Sequence, residues 1–510
     1  MPQIIQKNSC NSILLLVVFF INASILSGQP TAPNIIYILA DDMGYGDVSA
    51  YNPNTPIKTP NIDAIAKQGM RFTDAHSGSA VCTPTRYGIL TGRYAWRSKL
   101  QNGVLWSYDS ALITPNRFTV AKLLKQQGYK TACIGKWHLG LNWSSDANGT
   151  INHFNKITGG PNDLGFDYSY IITASLDIPP YVYFENQQLT STSLDSIQAN
   201  AGMGFWRSGV IAKDFEHTQV LNKTTQKAVD FIQQNSAHPF FLYLPLSAPH
   251  TPILPTEEFA GKSKSNDYGD FLIMTDAMVG RILKALKDRG IEKNTLLIFT
   301  SDNGASPSSD FKALKAVGHD PSFSLRGTKS DIYEGGHRIP FIAQWPNAIQ
   351  SGTVNNTVIC LTDLMASCAD LTHSTLAANA AEDSYSLVPL LVPKKNKVYQ
   401  RTATVHHSID GKFAIRKGKW KLIFANGSGG WSSPTEKEAL KQHLPPIQLY
   451  DLSTDQKENF NIASKYPKVV QLLTRELHSI ILNGRSTKGA FQPNDPALKF
   501  NPMAVWHNNE

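Results

Sequence analysis

The 510-residue chain has only five cysteines, no internal repeat and no low-complexity tract. This low cysteine content excludes a small fold that depends on disulfide bonds, and a bond between Cys360 and Cys368 is possible but not required. The formal net charge is +8, yet lysine and arginine are scattered and form no long basic block. We therefore expect no nucleic-acid partner, and the charge fits an anionic substrate or a solvated surface.

Long apolar runs are also absent after the N-terminal region, so no stable membrane insertion is expected. The run Ile13–Ile21 follows the lone Lys7 and is followed by mostly small residues up to Gly28. Because this run is too short to span a bilayer comfortably, residues 1–28 are predicted to be a signal peptide. We expect an exported protein, either periplasmic or secreted.

Nearly continuous apolar runs at 34–40, 239–246 and 295–300 predict buried strands of a parallel sheet. Two of these runs end in oxygen-bearing side chains, Asp41 and Asp42 in the first case and Asp302 and Asn303 in the second. Strand ends in a parallel sheet lie along one edge, where oxygen ligands without histidine or cysteine select calcium or magnesium. The alternative interpretation is a pair of solvated turns rich in Asp and Gly.

The stretch 81–92 predicts a short helix that begins just after Cys82, with Thr83 as N-cap, Pro84 in the first turn and Gly92 as the stop. A thiol at a helix N-terminus is expected to have a lowered pKa, and Arg86 lies one turn further on. The alternative is that Cys82 is a small buried apolar residue. A lysine and a histidine, Lys136 and His138, leave the end of a further short strand over 131–134.

Three segments together resemble type I sulfatases: Cys-Thr-Pro-Thr-Arg followed by Leu-Thr-Gly at 82–92, Gly-Tyr-Lys-Thr-Ala-Cys-Ile-Gly-Lys-Trp-His-Leu-Gly at 128–140, and Tyr-Glu-Gly-Gly at 333–336. The resemblance implies an alkaline phosphatase-like fold and conversion of Cys82 to formylglycine by a formylglycine-generating or anaerobic sulfatase-maturating enzyme. It also implies a calcium ion bridged to residue 82 and held by Asp41, Asp42, Asp302 and Asn303.

The same resemblance implies a role for each remaining site residue. Lys136 and Lys329 would hold sulfate oxygens, with Arg86 stabilising the charge on the sulfuryl group. His138 would hydrogen-bond the formylglycine hydroxyl, and His250 would protonate the departing oxygen.

Substrate specificity is indicated only by weaker patterns. The Ser175–Tyr183 stretch, the Gly318–Ser322 stretch and the pair His406–His407 look like those of bacterial polysaccharide sulfatases related to the N-acetylgalactosamine-6-sulfatase group. We therefore expect a sulfated carbohydrate, either a glycosaminoglycan or an algal glycan such as ulvan, with His319, His406 and His407 among the substrate-binding residues. Trp431, in a Gly-Ser-rich loop, would suit a sugar subsite but needs no function as a surface residue.

The expected architecture is α/β, with a large mixed but mostly parallel sheet between helices and a smaller C-terminal α+β part. The predicted domains are a catalytic domain over 29–392 and a C-terminal subdomain over 393–510, with the boundary at the lysine-rich 394–397. Two other functions remain open. One is a phosphoesterase with a pair of transition metals, and the other is a non-catalytic binder of sulfated glycan in which Cys82 stays unconverted.

Overall fold

The computed structural model describes residues 1–3, 32–393, 398–496 and 498–507. The part of the chain from Ala32 onward forms one compact unit. The predicted signal peptide over 1–28 lies, apart from its first three residues, outside the described residues, as does the lysine-rich segment 394–397. Within the described ranges, the helices all fall short of the length and apolarity that crossing a membrane would require.

A ten-stranded mixed sheet forms the centre of this unit, in the order β13-β2-β12-β11-β1-β10-β4-β5-β6-β7. Its middle five strands, β11, β1, β10, β4 and β5, are parallel, and antiparallel strands extend it on both sides. The strands are β1 (Asn34–Ala40), β2 (Met70–Phe72), β4 (Lys130–Lys136), β5 (Tyr168–Ile172), β6 (Tyr183–Glu185), β7 (Gln188–Leu189), β10 (Phe240–Pro245), β11 (Thr295–Ser301), β12 (Phe341–Gln344) and β13 (Thr353–Asn355).

The burial of every side chain in β1 shows that both faces of the sheet are covered. One group of helices is linked by contacts of α5 with α1 and α4, and a second group consists of α2, α3 and α8. The helices are α1 (Pro60–Gln68), α2 (Cys82–Thr91), α3 (Val120–Gln126), α4 (Val220–Asn235), α5 (Asp267–Asp288), α6 (Phe311–Ala316), α7 (Glu334–His337), α8 (Leu364–Leu371), α9 (Val388–Leu391), α10 (Glu436–Lys441), α11 (Pro467–Leu482) and α12 (Pro502–His507).

The C-terminal part contains a separate four-stranded antiparallel sheet, in the order β15-β16-β17-β18, against which α11 packs. Apolar residues of this sheet and of α11 share a core with Tyr94 and Trp96, which follow α2. Its strands are β15 (Thr404–His407), β16 (Phe413–Lys417), β17 (Trp420–Phe424) and β18 (Gln448–Asp451). Two short pairs complete the strands, β3 (Ala75–His76) with β14 (Ile359–Cys360) and β8 (Leu194–Ile197) with β9 (Gly209–Ala212).

The predicted α/β class, with a mostly parallel sheet and a smaller C-terminal α+β part, is confirmed by this topology. The exact domain boundary at 392/393 stays a prediction, since the structure groups the whole region from Ala32 into one unit. Cys133, Cys360 and Cys368 are buried free thiols, so the possible bond between Cys360 and Cys368 is not formed.

Candidate active site

The acidic strand ends predicted from the sequence lie side by side. Strands β1 and β11 pair in parallel with Ala40 opposite Ser301, so the residues that follow each strand leave the sheet at the same edge. The backbone N–H of Asp42 donates to Asp302 Oδ1 at 3.1 Å, and the Asn303 amide donates to Asp42 Oδ1 at 2.7 Å. Asp42 has a left-handed backbone, with φ of 64°, which turns its side chain toward its neighbours.

Each of the three carboxylates of this edge lies beside one buried cation. Lys136 Nζ lies 2.7 Å from Asp41 Oδ2, Lys329 Nζ lies 2.7 Å from Asp42, and Arg86 Nη2 lies 2.7 Å from Asp302 Oδ2. Lys136 is the last residue of β4, next but one to β1 in the sheet, which explains how it reaches Asp41.

Burial and mutual repulsion act differently on the acids. Although burial raises it, the ammonium of Lys136, with His250 and Arg86, holds the pKa of the Asp41 carboxyl well below its usual range. Burial, followed by the charge of Asp41, raises the pKa of Asp302 to about 7 despite the Arg86 guanidinium. The positive charge near Asp302 is therefore too small to keep its carboxylate fully ionised. A further cation beside Asp302 would favour the ionised form.

Two oxygens of this group have no hydrogen-bond donor among the described residues, Asp41 Oδ1 and Asn303 Oδ1. Buried polar atoms are nearly always paired, so these two oxygens, facing a carboxylate cluster, fit the ligands of a cation. Ligand atoms of Asp41, Asp42 and His250 also lie within 4.8 Å of one another. The donor set of carboxylates and one amide oxygen fits a hard divalent ion.

Cys82 is the first residue of α2 and not the residue before it. Val81 is the N-cap, so the predicted capping by Thr83 is wrong, whereas Gly92 ends the helix in a left-handed conformation with φ of 63° as expected. The predicted lowering of the Cys82 pKa is also wrong, because burial raises the pKa of this thiol more than Lys136 and Lys329 lower it. The unmodified side chain is therefore a protonated thiol and a poor nucleophile.

His138 faces Cys82 with one defined nitrogen. Its Nδ1 lies 3.3 Å from Cys82 Sγ, and its Nε2 lies 2.9 Å from the carbonyl oxygen of Leu105. Because a carbonyl only accepts, Nε2 carries the proton and Nδ1 presents a lone pair to residue 82. Burial, followed by the charges of Lys136 and Arg86, lowers the pKa of His138 well below its usual value, which keeps the ring neutral.

All three nitrogens of the Arg86 guanidinium donate hydrogen bonds within the protein. Its Nε and Nη2 donate to Asp302 Oδ2 at 3.1 and 2.7 Å, and its Nη1 donates to the carbonyl oxygen of Lys136 at 2.9 Å. The side chain is fully buried, and Asp41 Oδ1 lies a further 3.4 Å from Nη2. Arg86 thus positions the acidic residues and the end of β4, and the predicted contact with the sulfuryl group is not supported.

His250 lies at the mouth of the same cluster. Its Nδ1 donates to the carbonyl oxygen of Thr251, and its Nε2 lies 3.6 Å from Asp42 Oδ2. Burial and the charge of Lys329 lower the pKa of His250, while Asp42 opposes that change. The side chain of His250 is 10% exposed, close to the 7% of Lys329, and its Nε2 faces the Asp42 carboxylate.

The three other predicted substrate-binding histidines do not belong to the site. His319 is fully buried, with Nδ1 2.6 Å from Thr55 Oγ1 and Nε2 2.8 Å from Asp47 Oδ1. The stretch around it packs beneath the turn after β1, where Gly46 N donates to the carbonyl oxygen of Pro321 at 2.7 Å. His319 therefore supports the turn that carries the acids and cannot contact a substrate.

His406 and His407 lie inside the C-terminal part. His406 is fully buried, with Nδ1 2.9 Å from the carbonyl oxygen of Ser77, and its ring stacks on His337 at 4.0 Å. His407 is 1% exposed and its ring lies beside Phe413. The prediction that these histidines bind substrate is therefore wrong, because both faces of β15 are covered and every residue of the strand is buried.

Sequence reasoning missed the residues that hold His138 in place. The carbonyl of Leu105 fixes its tautomer, and Ser175 Oγ lies 3.5 Å from its Nδ1. Ser175 begins the proline-containing stretch singled out in the sequence, so that stretch does approach the site at one end. Leu105 acts through its backbone, for which a side-chain pattern gives no signal.

Comparison with known proteins agrees with this geometry. Residues 33–374 match the family model described as Sulfatase. The chain is 34% identical over 487 residues to an N-acetylgalactosamine-6-O-sulfatase of Bacteroides thetaiotaomicron, covering 88% of this chain and 93% of that protein. It is 32% identical over 487 residues to arylsulfatase A of Homo sapiens, covering 92% of each chain.

A solved sulfatase structure from Bacteroides thetaiotaomicron, reported with that organism's metabolism of multiple glycosaminoglycans, superimposes with a TM-score of 0.79 at 33% identity. The match covers 89% of this chain and 99% of that one, which confirms the expected sulfatase fold. Members of this family generally use a formylglycine and a divalent metal ion, and the buried cluster beside Cys82 offers residues for both. The chain belongs to the sulfatase family and is a sulfuric ester hydrolase.

Proposed function

We propose that this protein is an exported sulfatase that removes sulfate from a sulfated glycan, either a glycosaminoglycan or an algal glycan such as ulvan. The observation that carries the proposal is the convergence of Lys136, Lys329 and His250 on paired acidic strand ends beside Cys82. The relative from Bacteroides, an N-acetylgalactosamine-6-O-sulfatase, supports a sugar substrate. The apolar run within residues 1–28 supports export.

Asp41, Asp42, Asp302 and Asn303 would hold the metal, which we propose is calcium because all four offer oxygen. When bound, the ion supplies a Lewis acid that polarises the sulfuryl oxygens and the oxygen of residue 82. Asp41 Oδ1 and Asn303 Oδ1 accept no hydrogen bond from the described residues, although the Arg86 guanidinium lies 3.4 Å from Asp41 Oδ1. Arg86 keeps Asp302 oriented through two donated hydrogen bonds.

Conversion of Cys82 by a maturating enzyme would replace the thiol with a hydrated aldehyde, whose hydroxyl is the attacking group. The raised pKa of the unmodified Cys82 agrees with this proposal, since the protonated thiol is not an activated nucleophile. The Nδ1 lone pair of His138 points at the side chain of residue 82 from 3.3 Å. His138 can therefore accept a proton from a hydroxyl at that position.

Lys136 and Lys329 would hold the sulfuryl oxygens as charge develops on them. Both ammonium groups act electrostatically on Cys82, which places their charge within range of a group bound to that side chain. Although burial lowers it, the Asp42 carboxylate raises the pKa of Lys329, so this lysine stays charged. His250 carries one proton on Nδ1, which donates to the Thr251 carbonyl, so its Nε2 must first take up a proton beside the Asp42 carboxylate, 3.6 Å away. The imidazolium formed in this way would give that Nε2 proton to the departing sugar oxygen.

The test is desulfation of a panel of defined sulfated oligosaccharides by protein co-expressed with a maturating enzyme. Release of sulfate from at least one saccharide, with one calcium per chain and loss of the thiol from the Cys82 peptide by intact-peptide mass, is the expected result. An unmodified thiol with retained saccharide binding would leave only a binding function. Two zinc ions per chain together with hydrolysis of phosphate esters would instead establish the phosphoesterase alternative.

A further inference from the structure

Trp431 is a large aromatic side chain that is exposed but rigidly anchored. Trp431 is 51% exposed, yet its backbone N–H donates to Ser330 Oγ and to Asp331 Oδ1, both at 2.9 Å. The next residue, Ser432, donates to Asp331 through its N–H at 3.0 Å and also through its hydroxyl. The buried Asp331 carboxylate and the Ser330 hydroxyl thus fix the loop that presents the indole ring.

The two residues that hold this loop, Ser330 and Asp331, are next in sequence to Lys329, the proposed ligand of the sulfate. Ser330 and Asp331, both fully buried, directly follow Lys329, whose ammonium lies 2.7 Å from Asp42. The carboxylate of Asp331 also accepts from the backbone N–H of Thr328 at 2.8 Å. The residues on both sides of Lys329 are therefore tied to the carboxylate that holds Trp431.

A second exposed tryptophan is anchored to the other side of Cys82. Trp106 is also 51% exposed and directly follows Leu105, whose carbonyl accepts from His138 Nε2 at 2.9 Å. The backbone N–H of Leu105 donates to Thr83 Oγ1 at 3.3 Å. The guanidinium of Arg207 lies 5.0 Å from the centre of the Trp106 ring.

The loops that carry the two tryptophans are joined by a third. Gly103 N donates to the carbonyl oxygen of Ile409 at 2.7 Å, and Ile409 N donates to that of Ser330 at 3.0 Å. Asp410 N, the next residue along, donates to the carbonyl oxygen of Gly429 at 3.2 Å. The loop after β15 therefore bridges the segments that end in Trp106 and in Trp431.

We propose that Trp106 and Trp431 form a sugar-binding subsite next to the sulfuryl pocket, in which pyranose rings of the sulfated substrate pack on the indole faces. This inference rests on the proposed function. Single exposed apolar residues are common, but the backbone of Trp431 is bonded to the two residues that follow Lys329, and Trp106 directly follows the residue whose carbonyl binds His138. Ligand sites combine aromatic walls with a few placed polar groups, and sugar C–H groups carry the positive charge that an aromatic face attracts.

Arg207 extends the subsite with a cation. Its Nη1 lies 2.5 Å from Asp177 Oδ2 and its side chain is 41% exposed, so donors of the guanidinium remain accessible. A guanidinium beside an aromatic wall is suited to a second anionic group on the sugar, either a carboxylate or a further sulfate. The subsite thus favours an acidic saccharide of more than one residue over a small aryl ester.

The experiment compares Trp431→Ala, Trp106→Ala and Trp431→Phe with the wild-type enzyme, using sulfated disaccharides and 4-nitrocatechol sulfate. Each alanine variant is expected to lower kcat/KM for the saccharide at least tenfold more than for the aryl sulfate, and phenylalanine is expected to recover part of that loss. Phe491→Ala is the matched control, because Phe491 is 66% exposed and lies near the C-terminus outside these loops. It is expected to leave both activities unchanged.

Equal losses on both substrates would show that the tryptophans only support the fold, and unchanged kcat/KM on the saccharide would show that no sugar packs on them. Either result overturns the subsite while leaving the sulfatase proposal intact. A wild-type enzyme that cleaves the aryl sulfate and none of the saccharides would overturn the glycan substrate and the subsite together.

Discussion

Replacing Arg86 by lysine separates the role that the structure gives this residue from the role implied by its sequence motif. Arginine here donates three hydrogen bonds, two to Asp302 Oδ2 and one to the carbonyl oxygen of Lys136. Lysine keeps the positive charge but has a single nitrogen, so it can reach one of these acceptors and not both. Arg86→Lys therefore removes hydrogen bonds to Asp302 or Lys136 without changing the charge at position 86.

The size of the effect follows from the bonds that are lost. Two charge-assisted hydrogen bonds in a fully buried site are each worth about 1.5–3 kcal/mol, so the variant should lose about 3–6 kcal/mol of stability. Because Asp302 is a proposed metal ligand, its misorientation should also weaken calcium binding by roughly 10–100-fold. Turnover at limiting calcium should fall by a similar factor.

The assay is a calcium titration of turnover, with thermal unfolding measured at each calcium concentration. If Arg86 only positions the ligands, excess calcium should restore most of the turnover of Arg86→Lys. The exposed Arg475 offers a control at which arginine-to-lysine replacement should change neither quantity. A variant whose turnover stays low at saturating calcium would show that Arg86 contacts the sulfuryl group after all.

Four further results are expected. Chelation of calcium should abolish turnover and lower the thermal midpoint, and calcium but not zinc should restore both, as measured by activity and calorimetry. Lys329→Met should lower kcat on 4-nitrocatechol sulfate by roughly 10²–10³-fold, and a loss below tenfold would exclude a role in the transition state. Cys82→Ser should eliminate turnover if the maturating enzyme leaves the serine unconverted, and the mass of the peptide that contains residue 82 shows whether it was converted. Burial raises the pKa of Glu458 to about 7, above its unfolded value, so this group should make stability decline as pH rises from about 4.5 to 7. A melting series in which Glu458→Gln shows the same pH slope as the wild type would contradict that origin.

The strand ends could be predicted from the sequence because local patterns determine them. The apolar run at 34–40 and the acidic pair that follows are adjacent in the chain, and parallel pairing places Ala40 beside Ser301. The smaller C-terminal α+β part is also confirmed, with the antiparallel hairpin of β16 and β17 and the helix α11.

Contacts between distant segments could not be predicted in this way. The Arg86 guanidinium donates to Lys136 and Asp302, which lie 50 and 216 positions away in the sequence. No local sequence pattern shows that two of its donors bind Asp302. His319 and His406 are predicted to bind substrate because the stretches around them look like those of bacterial polysaccharide sulfatases. Their ring nitrogens are instead bonded to Asp47 and Ser77, partners that only the fold brings near.

The left-handed backbone of Asp42, with φ of 64°, recurs at His138, with φ of 53°. Non-glycine residues in this conformation each cost on the order of 1–3 kcal/mol, and here both belong to the proposed active site. Selection for thermal stability alone should therefore favour asparagine or glycine at positions 42 and 138. The resulting proteins would be more stable but would no longer hydrolyse sulfate esters. Engineering for industrial durability should leave positions 42 and 138 fixed and search the peripheral helices instead.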